Sequence, residues 1–307
     1  MTNPTHNNEN VTLLSEERLK SRSFWQDASR YILRDRLTML AIIILVLMTI
    51  ACFVGPTIIQ RTTDIDPNRT SIPDRFTPPG NDGFILGADD LGRDQLIRLL
   101  LGGQISLLIA YGASLITILI GVTLGLIAGY YGGYIDDFIV WIINTLSAIP
   151  AIFLLLIIAS LWDPSPRSLA LILALIGWVS SCRLVRGEVL TLKDREYIIA
   201  ARALGSSANR IMLQHMIPNI LSVVIVSLTI NAGTLILIES ALSYLGIGVQ
   251  PPVPSWGNML TESRTFFVSG RHLVIWPGAM ITITVLCFYL FGDGLRDALD
   301  PRTTRKA

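Results

Sequence analysis

ISLLIAYGASLITILIGVTLGLIA, residues 105–128, runs for 24 residues without a charged side chain or a proline. As an α-helix it would be about 36 Å long, enough to cross the roughly 30 Å of hydrocarbon in a bilayer. Five further stretches qualify or nearly do. Residues 37–57 are uncharged, and 139–161 hold Pro150 but no charge. Residues 168–182 are short for a span and predict a helix continuing past Arg183, whose long stem can snorkel to the interface. Residues 220–241 carry one acid, Glu239, close to their end, and 276–292 close the set. Composition agrees: 15% of residues are charged and 51% apolar, against about 25% charge in soluble domains. The fold class is an all-α integral membrane protein with six transmembrane helices.

A cleaved signal peptide does not fit the first run. It is too long for a signal core, follows a long polar leader, and Ile58-Ile59-Gln60-Arg61 offers no small-residue cleavage site. Orientation follows from Lys and Arg. With the N-terminus inside, the inner segments hold 16 and the outer segments eight, an asymmetry that places both ends in the cytoplasm. The resulting map has a cytoplasmic segment 1–36, a first transmembrane helix 37–57 and an extracytoplasmic loop 58–104, which turns amphipathic at 91–101. A five-span core 105–292, with a basic inner loop 183–219, and a cytoplasmic tail 293–307 complete it.

Several chemistries are excluded. A net charge of +1 provides no polybasic field, so nucleic acid is not a partner. Three scattered cysteines form neither a disulfide framework nor a zinc knuckle, and three histidines lie too far apart for a metal triad. No G-x-x-x-x-G-K-[ST] phosphate loop occurs, nor a G-x-S-x-G or H-E-x-x-H. Asp64-x-Asp66-x-Asn68 opens like a calcium loop but has Arg69 and Arg75 where glycine and glutamate belong, and reads as a solvated turn.

Three features inside the spans bear on packing and gating. Gly121, Gly125 and Gly129 recur at four-residue spacing, a stripe that lets another helix approach closely. Pro150 predicts a kink or break in the third span. Glu239 reads as an unpaired acid near the outer surface, suited to a helix-end interaction with a neighbouring chain.

The inner loop carries the functional signal. In EYIIAARALG, Tyr197, Ala200, Ala201 and Leu204 fall on one face of a short helix that begins at Glu196. The paired alanines permit close approach by a partner. Gly205 suits the left-handed position that stops a helix, and Ser206 or Ser207 can cap a second helix, expected to run to His215 and halt at Pro218. An amphipathic loop lying on the membrane is the alternative reading of these residues.

The stretch AARALGSSANRIMLQHMIPN, residues 200–219, resembles the EAA loop of ABC importer permeases, the helix that fits a cleft in the ATPase subunit. The paired alanines, Gly205, His215, Pro218 and Asn219 carry the likeness, with Ile199 where that motif often has Glu. LGADDLGRDQLIRLLLGGQISL (86–107), ESALSYLGIGVQPPVPSWGNML (239–260) and GDGLRDALDPR (292–302) are similar to the corresponding segments of the dipeptide/oligopeptide/nickel permeases, and the polar extension before a lone first span is typical of their C-type subunit. Trp141 and Asn144 depart from the family's Arg and Asp in span three.

The resemblance implies a type I ABC importer permease core in a bacterial or archaeal plasma membrane. This chain would form half of one pathway in a heterodimer with a second homologous permease. Two cytoplasmic ATPases, which would bind the ATP and Mg, and an extracytoplasmic binding protein would complete the system, importing di- or oligopeptides. The chain itself would need no cofactor or metal and catalyse nothing. A secondary transporter or channel is the alternative.

Overall fold

A computed structural model of the protein describes residues 24–63, 66–162, 165–264, 267–268 and 270–299. Residues 1–23 of the N-terminal segment, Asp64 and residues 300–307 of the tail lie outside the described residues. The described residues form helices without strands. A short helix α1 (Phe24–Arg34) leads into α2 (Arg36–Thr63). Where they meet, Asp35 accepts hydrogen bonds from the Thr38 backbone N–H and hydroxyl, and these bonds hold the Asp35 carboxyl below the usual range.

Helix α3 (Gln95–Tyr131) is the central element, 37 residues long. Asp94 caps it, accepting from the N–H groups of Leu96 and Ile97 at 2.8 and 3.2 Å. The amphipathic stretch at 91–101 is therefore not a separate helix before the span. From Gln95 onward it is the outer end of the span itself. Gly102 and Gly103 sit where α3 is closely approached: a Cβ on Gly103 would lie 2.6 Å from the Trp256 ring.

The third hydrophobic stretch is broken, as Pro150 predicts, and broken sharply. Helices α4 (Gly133–Ser147) and α5 (Ala151–Leu161) meet at 87°. Pro150 stands at the start of α5, where its missing N–H costs nothing. Counting that pair as one span gives six crossings, and the other five are continuous helices.

Helix α6 (Pro166–Leu192) opens with a reciprocal Ser165–Ser168 cap and Pro166 in its first turn. It runs on past Arg183 to Leu192, as the fourth stretch predicts. Then come the short α7 (Glu196–Ala203), the 37-residue α8 (Ala208–Tyr244), α9 (Trp256–Arg264) and α10 (Arg271–Leu299).

The glycine stripe finds its helix within this chain. A Cβ on Gly121 would lie 2.5 Å from Ser181 Cβ, one on Gly125 2.7 Å from the Cys182 carbonyl oxygen, and one on Gly129 2.7 Å from a Val189 methyl. Helices α3 and α6 therefore pack backbone to backbone. A second core joins α2, α3, α8, α9 and α10 through Cys52, Leu107, Ile236, Trp256 and Phe288.

Candidate functional site

Helix α7 ends as its sequence requires. Gly205 takes φ +82°, its N–H bonds the Arg202 carbonyl at 3.0 Å, and the Ser206 N–H reaches back to Ala201 at 3.1 Å. This pair of bonds is the Schellman arrangement, which satisfies carbonyls a helix end would otherwise strand. Ser207 occupies the N-cap position of α8, but its side chain makes no capping bond.

What anchors α7 is a residue the sequence reading passed over. Ile198 is fully buried among Val185 and Val189 of α6 and Ile211, Met212 and Met216 of α8. Arg202 adds a second tie, its guanidinium 5.5 Å from the centre of the Tyr130 ring. The opposite side is uncovered. Tyr197, Ala200 and Leu204 are exposed, Ala201 is half-buried, and Glu196 is exposed beside them. Leu204, at 87% exposure, is a large apolar side chain held in the open by a structured bend.

The second helix of the loop does not halt at Pro218. It continues through it to Tyr244. Residues Ile211–Met216 form a π turn, and the Ile217 N–H bonds the Met212 carbonyl. Wider i→i+5 bonding ahead of Pro218 shifts the carbonyls that a regular helix would aim at the proline ring, so the chain passes without a break. His215 is half-buried in that turn, and its carbonyl accepts from Asn219 Nδ2 at 2.5 Å; Pro218 and Asn219 are exposed.

Glu239 is fully buried and held within the chain. Ser106 of α3 donates to Glu239 Oε2 at 2.9 Å, and Ser243 donates to Oε1 at 2.8 Å. Each serine oxygen also accepts a backbone N–H, from Trp256 at 3.2 Å and from Val249 at 3.1 Å. Accepting from the backbone uses a lone pair and leaves each hydroxyl hydrogen for the carboxylate, which can only accept. The acid thus pins the turn-rich segment after α8 onto α3, and the reading of an unpaired acid awaiting a neighbouring chain does not survive.

A cavity of about 770 Å³ opens between α6, α8 and α10. Ser180, Ser222, Ser227 and Asn231 line it among Val and Leu side chains, with Glu188 and Arg296 also on its wall. Asn231 Nδ2 donates to the Ser227 carbonyl at 2.9 Å. The sequence signal for this cavity was present but weak: small polar residues clustered inside two otherwise apolar runs. Asp66 accepts the Asn68 N–H at 2.9 Å, an ordinary Asx turn. No group of three His, Cys, Asp or Glu that could hold a metal occurs among the described residues.

Residues 121–305 match the family profile described as binding-protein-dependent transport system inner membrane component, and residues 23–79 match the N-terminal transmembrane domain of oligopeptide transport permease C. An oligopeptide transport system permease protein of Haemophilus influenzae is 36% identical over 291 residues, covering 94% of this chain and 92% of that one. A dipeptide transport system permease protein of Alkalihalophilus pseudofirmus is 36% identical over 287 residues, covering 94% and 93%. A glutathione transport system permease protein of Pectobacterium atrosepticum is 36% identical over 282 residues, covering 92% of each.

Proposed function

The chain belongs to the family of binding-protein-dependent transport system inner membrane components, and on that premise we propose that it is one half of the pathway of an ATP-driven importer of di- or oligopeptides. In this reading it pairs with a second, homologous permease. Two cytoplasmic ATPases bind ATP and Mg, and an extracytoplasmic protein delivers substrate. Both termini and the 183–219 segment lie on the cytoplasmic side, as the excess of Lys and Arg there supports.

The observation that carries the proposal is α7. A short helix whose apolar face stays exposed, while Ile198 fixes its other side, is built to be covered by something outside this chain. Glu196, Tyr197, Ala200, Ala201, Leu204 and Gly205 are the contact surface, with His215, Pro218 and Asn219 shaping the helix behind it. The cavity between α6, α8 and α10 is this chain's share of the pathway, its hydroxyls and amide offering adaptable hydrogen bonds without a dominant charge. Peptide transport rests on the relatives' names alone. The glycine stripe and Glu239 carry no weight for a second subunit, since both find partners inside the chain.

Reconstitution tests it. The purified chain alone should move no peptide, with or without ATP. Adding the second permease, the ATPases and the binding protein should produce ATP-dependent uptake. Saturable uptake by the lone chain under a proton or sodium gradient would instead make it a secondary transporter.

A further inference from the structure

A bidentate ion pair joins the inner half of the broken span to the helix that supports α7. Arg186 on α6 donates from Nε and Nη2 to the two carboxylate oxygens of Asp136 on α4, at 2.5 and 2.7 Å. Asp136 is 15% exposed and Arg186 31%, so the pair is half-buried. A planar guanidinium meeting a carboxylate in this way fixes distance and direction together, which a single contact would not.

The other main tie on α4 is apolar, a buried cluster shared with Ala128 of α3 and Trp178 and Cys182 of α6. Ile139 and Ile143 are its buried residues, while Tyr134, Phe138 and Trp141 face outward. Arg183 also reaches α4, donating to Ser147 Oγ at 2.8 Å beside the break.

On the other partner, the same arginine sits at a junction. Val185 and Val189, on either side of it in sequence, are in the pocket that holds Ile198 of α7. Its backbone lies against Gly125 and Gly129 of α3. Ile198 thus ties α7 to α6 at the level where Arg186 ties α6 to α4. Beyond α4 the chain turns through 87° at Pro150, and α5 packs separately, through Leu155, on Leu169, Ile172 and Leu173 in the first turns of α6.

We infer that the Asp136–Arg186 pair is a positioning element that makes the inner half of the broken span follow the coupling helix when the ATPases act, an inference that rests on the importer reading above. Neither residue touches substrate in this account. Their role is to convert movement of α7, passed on through α6, into movement of α4.

The test uses the whole complex in proteoliposomes: this chain, the second permease, the ATPases and the binding protein. Asp136→Asn and Arg186→Gln should each assemble and hydrolyse ATP, yet consume on the order of tenfold more ATP per molecule imported, a typical coupling between linked sites. The exchanged pair, Asp136→Arg with Arg186→Asp, should bring that ratio back toward wild type. A ratio unchanged in the single variants, or uptake and hydrolysis falling in parallel, would reduce the pair to ordinary packing and overturn the inference. Failure of the wild-type complex to import anything with ATP would overturn the importer reading, and this inference with it.

A second measurement does not depend on the exchanged pair folding. Spin labels at Tyr134 on α4 and Leu161 at the end of α5, both highly exposed, should change their separation on ATP binding in the wild type. They should not do so in Asp136→Asn. The same change in both proteins would refute the link.

Discussion

Gly125→Ala adds one methyl group at the closest backbone approach between two spans. The new Cβ would lie 2.7 Å from the Cys182 carbonyl oxygen, 2.9 Å from Val185 Cβ and 3.1 Å from the Arg186 nitrogen. Non-bonded carbon contacts are comfortable near ~3.5 Å, so α3 and α6 must separate by the better part of an ångström. Two of the three obstacles are backbone atoms and cannot rotate away. Overpacking of this kind costs about 1–3 kcal/mol, while alanine regains up to about 1 kcal/mol of helix propensity over glycine. Gly112→Ala separates the two effects, because Gly112 lies on the same helix with nothing within 4 Å of its would-be Cβ. Propensity is common to both variants, so the difference between them is the packing cost. Thermal unfolding of the purified proteins in one detergent should place the Gly125→Ala midpoint below that of Gly112→Ala, on the order of 5 °C for such an energy. Equal midpoints would refute the backbone-to-backbone seam.

Glu239→Ala strands the hydroxyls of Ser106 and Ser243 and should destabilise the protein by about 2–5 kcal/mol, read as a lowered unfolding midpoint, with Glu239→Gln intermediate. Gly205→Val places a β-branched residue at φ +82°, where it is strongly disfavoured; membrane insertion should survive while co-purification of the ATPases and uptake fall. Burial and the charge of Asp89 push the Asp90 carboxyl above the usual carboxylate range despite Arg93. A folded-state value above the unfolded one adds stability at low pH that is lost as pH rises through it. Hydrogen exchange in the outer segment should therefore quicken from acid toward neutral pH beyond its intrinsic dependence, and Asp90→Asn should flatten that trend. In a background lacking Cys52, Cys182 and Cys287, cysteine at exposed Asn81 should react with an impermeant maleimide on intact cells and cysteine at exposed Ser207 should not; the reverse would invert the topology.

Features decided by a few neighbouring residues could be read from the chain directly. The apolar runs, the Gly205 bend and the Pro150 break all depend on local backbone chemistry, and each stands where its residues put it. The amphipathic turns beside span two were legible as helix but not as part of the span, because Gly102 and Gly103 mean close packing there rather than interruption. What eluded sequence reading depends on distant partners. Ser106 and Glu239 are 133 residues apart, and no pattern in either span announces their meeting. Ile198 looked like one apolar residue among several, since its pocket is assembled from α6 and α8. Pro218 misled for another reason: the rule that proline ends a helix assumes i→i+4 bonding, which the π turn replaces.

The right-angle break between α4 and α5 has a consequence for solvent. A continuous helix pairs its interior carbonyls in its own ladder, whereas a break leaves the last carbonyls of its first half without that ladder. Ser147, Ala148, Ile149 and Pro150 are all exposed on this chain, and lipid tails offer no donor to a bare carbonyl. The elbow must therefore be wetted or covered by another protein surface. The Pro150 carbonyl is served within the chain, accepting from Phe153 and Leu154 at 3.0 and 3.3 Å, so the demand for outside donors falls on the turn before it.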